Sequence, residues 1–197
     1  MRCKSKLRFL ITAGGTREYI DPVRFITNAS SGKMGYALAE EAIKAGHEAT
    51  LVTAARGEVP KGVKVQRVET AGEMFEAVKG NFNNCDVLIM AAAVSDYTPV
   101  RRSRTKIKKT GKELTIKLKE TPDILKWAGH HKRGQVVAGF ALEDKNLAAR
   151  AAKKLETKKA DLIVGNGPEA IDAESSEAIV ISREYIEKLS AMSKKKL

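Results

Sequence analysis

The 197-residue chain is 43% apolar and 30% charged, which excludes a disordered or fibrous protein and suffices for the core of one ordinary domain. It has no apolar run long enough to cross a bilayer, no signal-type apolar stretch near its start and only two cysteines, so we expect a cytoplasmic protein with no membrane partner. Its net charge of +12 indicates an anionic partner, either a nucleic acid or a polyanionic small molecule.

The first half of the chain alternates predicted strands and helices. Residues Leu7–Thr12 are apolar at consecutive positions, as buried parallel strands are. Gly35–Ala45 has one apolar helical face, which Gly46 ends. The same reasoning predicts strands over Ala49–Thr53, Val63–Val68 and Val87–Ala93, and a helix over Ala71–Phe82 with Thr70 as its N-cap.

A basic segment then interrupts this rhythm. Leu114, Ile116 and Leu118 alternate with polar residues, and Thr110-Gly111-Lys112 is a turn signal. This pattern predicts a hairpin of 106–109 with 113–119, within an arm or flap over about 98–119. The remaining predicted elements are a helix from Thr121-Pro122-Asp123 to about Gly129, a strand over Val136–Phe140, a helix over Asn146–Lys159, strands over Leu162–Val164 and Ala178–Ser182, and a closing helix over Arg183–Lys196.

The pattern as a whole predicts one α/β domain over residues 1–197. Its sheet is Rossmann-like, mainly parallel and flanked by helices, with the hairpin or flap as an antiparallel excursion. Ligands of such sheets bind at the carboxyl ends of the strands.

A long loop containing two glycines follows the first strand. Gly14 and Gly15 end that strand, and about seventeen residues separate Gly15 from Gly32, where the first helix is about to begin. Strand, glycine turn and helix are typical of nucleotide-binding domains, because the N–H groups at a helix start attract phosphate. The segment Asn28–Lys33 offers hydroxyls and amides to a phosphate, with a helix entry capped by Ser30 or Ser31 as the simpler alternative.

Each of three further residues allows both a functional and a structural interpretation. The Arg24 guanidinium matches a carboxylate or phosphate, but can also pair with Asp21 or Glu18. Asp96 at a central strand end can place a metal–phosphate group or a ribose, or it can cap a turn. Lys106 can close over a triphosphate, or it can belong to a solvated run of charge.

The distribution of charge favours a phosphorylated small molecule over a nucleic acid. Nine Lys or Arg and one acid lie between Arg101 and Lys119, with no aromatic residue to stack on bases. The chain also has no P-loop motif, no metal-ligand spacing around its histidines and no set of residues for a covalent nucleophile. Two alternatives stay open: an NAD(P)-binding Rossmann-like domain, which the missing G-x-G-x-x-G disfavours, and a basic nucleic-acid-binding module.

Several motifs, in order, resemble phosphopantothenoylcysteine synthetase, the synthetase half of the bifunctional coenzyme A biosynthesis flavoprotein family. The long opening signature is TAGGTREYIDPVRFITNASSGKMG, from Thr12 to Gly35. The motifs AAAVSDY from Ala91, KIKK from Lys106, TPDI from Thr121 and GFA from Gly139 follow it. The resemblance covers about Leu7 to Ile181, with Gly15 where many bacterial members have proline and Ser95 where many have alanine.

The resemblance implies a ligase that joins 4′-phosphopantothenate to L-cysteine. The pantothenate carboxylate attacks the α-phosphate of a nucleoside triphosphate and releases pyrophosphate. The cysteine amine then displaces the nucleoside monophosphate from the acyl-nucleotide. Bacterial members use CTP with Mg²⁺, and eukaryotic ones typically ATP. Such chemistry depends on positioning and charge neutralisation.

The resemblance also implies roles for particular residues. Asn28 holds the substrate carboxylate and the acyl-nucleotide, Arg24 supports it or grips the substrate, and Lys106 neutralises charge as pyrophosphate leaves. Mg²⁺ is expected to be bound by the triphosphate, near Asp96, without direct protein ligands. The nucleotide site is expected to comprise Gly14, Ser30, Ala91, Ala92, Asp96, Lys106, Pro122, Asp123, Ile124, Leu125, Phe140, Lys154 and Lys158.

Assembly is likewise an expectation from the family. Its members are dimers, and the flap reaches toward a site shared with a second subunit. The decarboxylase domain to which bacterial members are often fused is absent from this sequence, so a stand-alone synthetase or an excised domain is expected, with a phosphopantothenoylcysteine decarboxylase as a partner.

Overall fold

A computed structural model describes residues 6–142, 145–167 and 175–193. The elements of its first half are β1 (Arg8–Ala13), β2 (Arg17–Tyr19), β3 (Phe25–Thr27), α1 (Lys33–Lys44), β4 (Glu48–Thr53), β5 (Lys64–Arg67), α2 (Ala71–Phe82) and β6 (Val87–Met90). Those that follow are β7 (Tyr97–Pro99), β8 (Leu118–Glu120), α3 (Ile124–His131), β9 (Val136–Leu142), α4 (Leu147–Lys158), β10 (Leu162–Asn166), β11 (Ser175–Ser182) and β12 (Ile186–Ser193).

One large sheet organises the described part of the chain. Its strand order is β12-β11-β10-β9-β6-β1-β4-β5. The strands from β10 to β5 in this order are parallel, whereas β11 and β12 are added in antiparallel fashion. The prediction of an α/β fold with a mainly parallel sheet is confirmed.

Helices cover both faces of this sheet. Successive side chains of β1 point to opposite faces, so Leu10 joins a core with α2, α3 and α4, whereas Ile11 packs with α1. Thr70 caps α2, as predicted, because its side chain accepts a hydrogen bond from the Glu73 amide while the Glu73 side chain reaches back to the cap. Helix α1 packs on β1 through Ala39 and Ala42.

The order of the strands fixes where a ligand can bind. The chain leaves β1 for β4 on one side, and later returns to place β6 on the other side. Ligands of doubly wound sheets bind at such a reversal, beyond the carboxyl ends of the strands. In this chain the reversal lies beyond Ala13 of β1 and Met90 of β6.

The predicted hairpin of 106–109 with 113–119 is wrong. The antiparallel ladder lies at the base of the segment instead, where β7 pairs with β8, and residues 100–117 form no strand. Leu114 is 55% exposed and Leu118 43%. The alternation of apolar and polar residues here therefore does not mark a buried sheet face within the described residues. We call residues 100–117 the arm.

The predicted closing helix over Arg183–Lys196 is also wrong over its described part. The strand predicted over Ala178–Ser182 is present as part of β11, but it is not the last strand, because β12 follows it. The Ser182 hydroxyl accepts hydrogen bonds from the amides of Glu184 and Tyr185, which reverses the chain. The residues that follow form β12, because pairing with β11 satisfies backbone groups that a helix would leave open at the sheet edge. Residues 194–197 lie outside the described residues. No helix in the described ranges combines the length and apolar character needed to cross a bilayer.

Candidate functional site

The segment after β6 forms the floor of the site. The predicted strand over Val87–Ala93 leaves the ladder after Met90, because the Ala92 amide donates to Thr12 Oγ1 (3.1 Å) and the Ala93 amide donates to the carbonyl of Gly14 (2.9 Å). Gly14 has a φ of 82°, and a Cβ there would lie 2.5 Å from the amide nitrogen of Ala55. A side chain at this position is therefore excluded by both conformation and space.

A cavity of about 420 Å³ opens beyond this floor, at the carboxyl ends of β6 and β9. Its walls come from the segment after β6, the β7–β8 ladder, the start of α3 and one face of α4. It is lined by Met90, Ala92, Val94, Asp96, Tyr97, Glu120, Thr121, Pro122, Asp123, Ile124, Leu125, Phe140, Lys154 and Lys158.

Apolar and charged groups line the cavity together, which suits a base or acyl chain beside phosphates. The Lys154 ammonium donates to the carbonyl of Phe140 (2.7 Å). Leu125 packs onto the strand beneath because Gly139 has no side chain: a Cβ there would lie 2.6 Å from Leu125 Cδ2. The glycine of the GFA motif therefore shapes the apolar wall.

Asp123 links α3 with α4 at the mouth of the cavity. Its Oδ1 accepts the Lys126 amide (2.9 Å) and caps α3, while its Oδ2 accepts from the ammonium of Lys158. Burial by itself raises the pKa of the Asp123 carboxyl, but the hydrogen bonds from Lys158 and Lys126 outweigh it and hold that pKa below its usual value. A phosphate in the cavity would compete with this carboxylate for Lys158.

Asn28 lies beside the cavity floor. Its Nδ2 donates to the carbonyls of Ala93 (3.3 Å) and Val94 (3.2 Å), and Val94 lines the cavity. The side chain is exposed, so a substrate group at the rim can reach it.

Arg24 forms the ion pair that the sequence offered as its structural interpretation, with Asp21. Its Nε and Nη2 donate to Asp21 Oδ2, at 3.0 and 2.5 Å. Glu18 instead accepts the amide of Ala71 (2.8 Å) at the start of α2. The Arg24 hydrogen bond, with those of three backbone amides, holds the pKa of the buried Asp21 carboxyl far below its usual value.

The predicted nucleotide residues divide into two groups. Those that line the cavity are Ala92, Asp96, Pro122, Asp123, Ile124, Leu125, Phe140, Lys154 and Lys158. Those that do not line it are Gly14, Ser30, Ala91 and Lys106, of which Gly14 and Ala91 belong to the floor. Ser30 is half-buried shortly before α1, and Lys106 is exposed on the arm.

Sequence reasoning missed the other lining residues, which are Met90, Val94, Tyr97, Glu120 and Thr121. All lie within two positions of a predicted residue. The Thr121 hydroxyl donates to the carbonyl of Ser95 (2.6 Å) and its amide to that of Asp96 (2.9 Å), which brings the end of β8 to the cavity. A ladder predicted at residues 97–99 with 118–120 would have pointed to Tyr97 and Glu120.

Comparison with known proteins places the chain in a family. Residues 4–197 match the model for the DNA/pantothenate metabolism flavoprotein C-terminal domain. The Coenzyme A biosynthesis bifunctional protein CoaBC of Thermococcus kodakarensis is 41% identical over an alignment of 197 residues, and the match covers 96% of this chain and 48% of that protein. The chain thus spans about half the length of this curated relative.

Solved structures agree in fold. The crystal structure of the C-terminal domain of a CoaBC protein superposes with a TM-score of 0.84 at 41% identity, covering 98% of this chain and 89% of that one. A Cab2 variant in complex with phosphopantothenate-cysteine has a TM-score of 0.82 at 18% identity, covering 93% of this chain and 80% of that one; at this identity the likeness concerns the fold alone. With its sequence matched almost from end to end, the chain belongs to the family of DNA/pantothenate metabolism flavoprotein C-terminal domains.

Proposed function

We propose that the chain is a phosphopantothenate–cysteine ligase, which activates 4′-phosphopantothenate as an acyl-nucleotide and transfers the acyl group to the amine of L-cysteine. The observation that carries the proposal is the cavity beyond β6 and β9. It gathers nine residues that the family resemblance associates with the nucleotide. The name of the Thermococcus relative, a coenzyme A biosynthesis protein, supports the same reaction.

The arrangement suits acyl activation without a protein nucleophile. The carboxylate of the substrate attacks the α-phosphate, so the chain needs only to bring the two together and to neutralise the charge that develops. Asn28 lies at the rim to receive the substrate carboxylate, Lys154 and Lys158 face the cavity, and Lys106 is on the arm. For Asn28 to donate to substrate, one of its hydrogen bonds to Ala93 or Val94 must be exchanged.

The cavity residues fit Mg²⁺ as a companion of the triphosphate. Mg²⁺ prefers oxygen ligands and commonly takes one or two carboxylates plus substrate phosphates. The carboxylates of Asp96 and Glu120 line the cavity, and Asp96 is the residue we propose to lie near the ion. The metal would supply neutralisation of phosphate charge.

We propose CTP as the preferred nucleotide, with ATP as the alternative. Purified protein is incubated with 4′-phosphopantothenate, L-cysteine, Mg²⁺ and either CTP or ATP, and pyrophosphate release is followed. We expect pyrophosphate release with a higher kcat/KM for CTP than for ATP. The ligated product should form only when both 4′-phosphopantothenate and L-cysteine are present. No turnover with any nucleotide would remove the ligase proposal, whereas a preference for ATP would remove only the CTP assignment.

We also propose that the chain forms a homodimer. Exposed apolar side chains lie on or directly beside the β2–β3 ladder and the neighbouring β7–β8 ladder: Val23, Phe25, Ile26, Tyr97, Val100 and Leu118 are each 37–59% exposed. Exposed apolar side chains gathered on neighbouring elements often mark an interface. A decarboxylase partner and a cytoplasmic location stay predictions of the sequence.

A further inference from the structure

The arm is held to the rest of the molecule through one buried carboxylate. Asp21, in the turn between β2 and β3, has no exposed side-chain surface. Its Oδ1 accepts the amides of Val23 and Arg24, both at 2.9 Å. Its Oδ2 accepts Arg24 Nε at 3.0 Å and the amide of Ile107 at 3.2 Å. One oxygen therefore shapes the turn, and the other reaches the arm.

Arg24 completes this attachment. Its Nη2 donates both to Asp21 Oδ2 and to the carbonyl of Ile107, the latter at 2.9 Å. Both backbone polar groups of Ile107 are thus bound, one by the carboxylate and one by the guanidinium. Charge-assisted hydrogen bonds of this kind are stronger than neutral ones, so this pair is the firmest anchor of the arm in the described structure.

Two weaker contacts support the same end of the arm. The Ser103 amide donates to the carbonyl of Ile20 (2.9 Å). The guanidinium of Arg102 lies 4.5 Å from the ring centre of Tyr19, within the range of a cation–π contact. All of these contacts fall within five residues of Lys106, whereas residues 108–116 have no hydrogen bond to the core among those described.

We propose that Asp21 is a positioning residue, which fixes the part of the arm that carries Lys106 by holding Arg24 and the backbone of Ile107 together. The inference rests on the proposed function, because it gives the fixed lysine a task. Without the anchor the arm would sample many conformations, and ordering it at each turnover would cost conformational entropy. A misplacement of about 1 Å in such machinery can lower the rate by about a hundredfold.

The division of labour between the two oxygens makes the proposal testable. In Asp21→Asn the remaining oxygen can still accept the amides of Val23 and Arg24, because asparagine forms the same kind of turn. The new NH₂ group replaces Oδ2, and it can accept neither the Ile107 amide nor the guanidinium. The variant therefore releases the arm while it keeps the turn. Glu18→Gln is the matched control, since Glu18 is also a buried carboxylate (3% exposed) but accepts from Ala71 on α2.

Trypsin measures the release directly, because the arm is rich in lysine and arginine and cleavage follows local opening. We expect Asp21→Asn to be cut at Arg102, Arg104 and Lys106, the sites beside the anchor, at least about tenfold faster than the wild type, and Glu18→Gln to be cut there at the wild-type rate. Ile107→Pro removes only the donor on the arm and keeps the bond from Arg24 to the Ile107 carbonyl, so it should also speed cutting at the sites other than Lys106, but by less than Asp21→Asn. It decides the question by itself if Asp21→Asn does not fold. Wild-type cutting rates in the folded variants would overturn the proposal.

Kinetics then separate this inference from the ligase proposal. Asp21→Asn should lower kcat by about tenfold to a hundredfold and change the KM for CTP by less than about threefold, because the cavity lining is untouched. Combined with Lys106→Gln it should lose no more than Lys106→Gln alone, since both act through one lysine. Additive losses, or a wild-type kcat, would overturn the inference and leave the ligase standing. Absence of turnover in the wild type would remove the ligase, while the cutting rates would still report on the anchor.

Discussion

Asn28 occupies the junction between the long loop and the cavity floor. Both hydrogens of its amide face backbone carbonyls, those of Ala93 and Val94. A carboxylate at this position would lie against those carbonyl oxygens and would also repel the carboxylate of the substrate. The identity of this side chain therefore affects the shape of the floor and its charge together.

We predict that Asn28→Asp lowers kcat/KM for 4′-phosphopantothenate by at least about a hundredfold, the scale expected when a key donor to reacting charge is lost. The fold should persist, because the residue is exposed. Pyrophosphate release and thermal unfolding measure the two effects. Asn83→Asp, the same change at an exposed position after α2, serves as the control. A wild-type rate in Asn28→Asp would show that another group binds the carboxylate.

Lys106 is exposed on the arm and contributes little to the core. We predict that Lys106→Gln lowers kcat by about tenfold or more and shifts the melting temperature by less than about 1 °C, since surface substitutions change stability little. Lys109→Gln removes an equal charge from the same arm and should retain most of the activity. Equal losses in both variants would mean that only the overall charge of the arm matters.

Among the elements, β1 and β6 are joined at their beginnings by Arg8 and Asp86. The guanidinium donates through Nε (3.1 Å) and Nη2 (2.8 Å), and the Arg8 amide donates as well (2.8 Å). These bonds lower the pKa of Asp86 from 3.8 to about 2. The unfolded chain therefore binds the proton more readily than the folded one, so the stabilisation is present above about pH 4 and is lost as the pH falls toward about 2.

We predict that Asp86→Asn lowers the urea midpoint at pH 7, and that the difference from the wild type shrinks as the pH falls from about 4 to about 2. Comparing two proteins at each pH cancels the effect of other acids that titrate in the same range. Glu41→Gln, on α1, where the 42% exposed carboxylate pairs with Lys44 alone among the described residues, should show a much smaller difference at pH 7. A constant gap for Asp86→Asn would mean that the carboxyl is not stabilised by Arg8.

Elements whose signal lies within a few residues were predictable from sequence. Thr70 and Glu73 form their capping box within one turn, and Gly46 follows the end of α1 in the left-handed conformation, with a φ of 86°. The arm and β12 were not predictable in this way. Leu118 pairs with Pro99, nineteen residues earlier, and Ile186 pairs with Ile181 across a turn that the Ser182 side chain makes. Helical and strand periodicities cannot be separated there without those partners.

The same distinction between local signals and contacts of distant residues applies to the candidate site. The cavity residues followed from motifs that match a family, and the Rossmann-like order places those motifs at strand ends. The anchor at Asp21 could not be deduced, because Ile107 lies 86 residues away and its neighbours were expected to form a hairpin. From the sequence, Arg24 could pair with either Asp21 or Glu18. The structure decides for Asp21, because that carboxylate is buried between the turn and the arm.

At the scale of the whole molecule, the two small ladders present an apolar surface at one end and the edge strand β12 presents another. Ile26 is 37% exposed in the first and Ile186 is 63% exposed in the second. We predict that the wild type sediments at twice the mass of the chain and that Ile26→Asp sediments at the mass of one chain, because a buried charge without a partner is costly at an interface. Ile186→Asp should remain dimeric. The opposite pattern would move the interface to β12.

The charges around the cavity have a consequence for how its ligand arrives. Among the described residues that line it, the carboxylates of Asp96, Glu120 and Asp123 outnumber the ammonium groups of Lys154 and Lys158. A bare polyphosphate would therefore meet a pocket of its own sign, inside a molecule that is strongly positive overall. We expect nucleotide to enter together with its divalent counter-ion, as an almost electroneutral pair, and free nucleotide in excess of the cation to be a poor competitor.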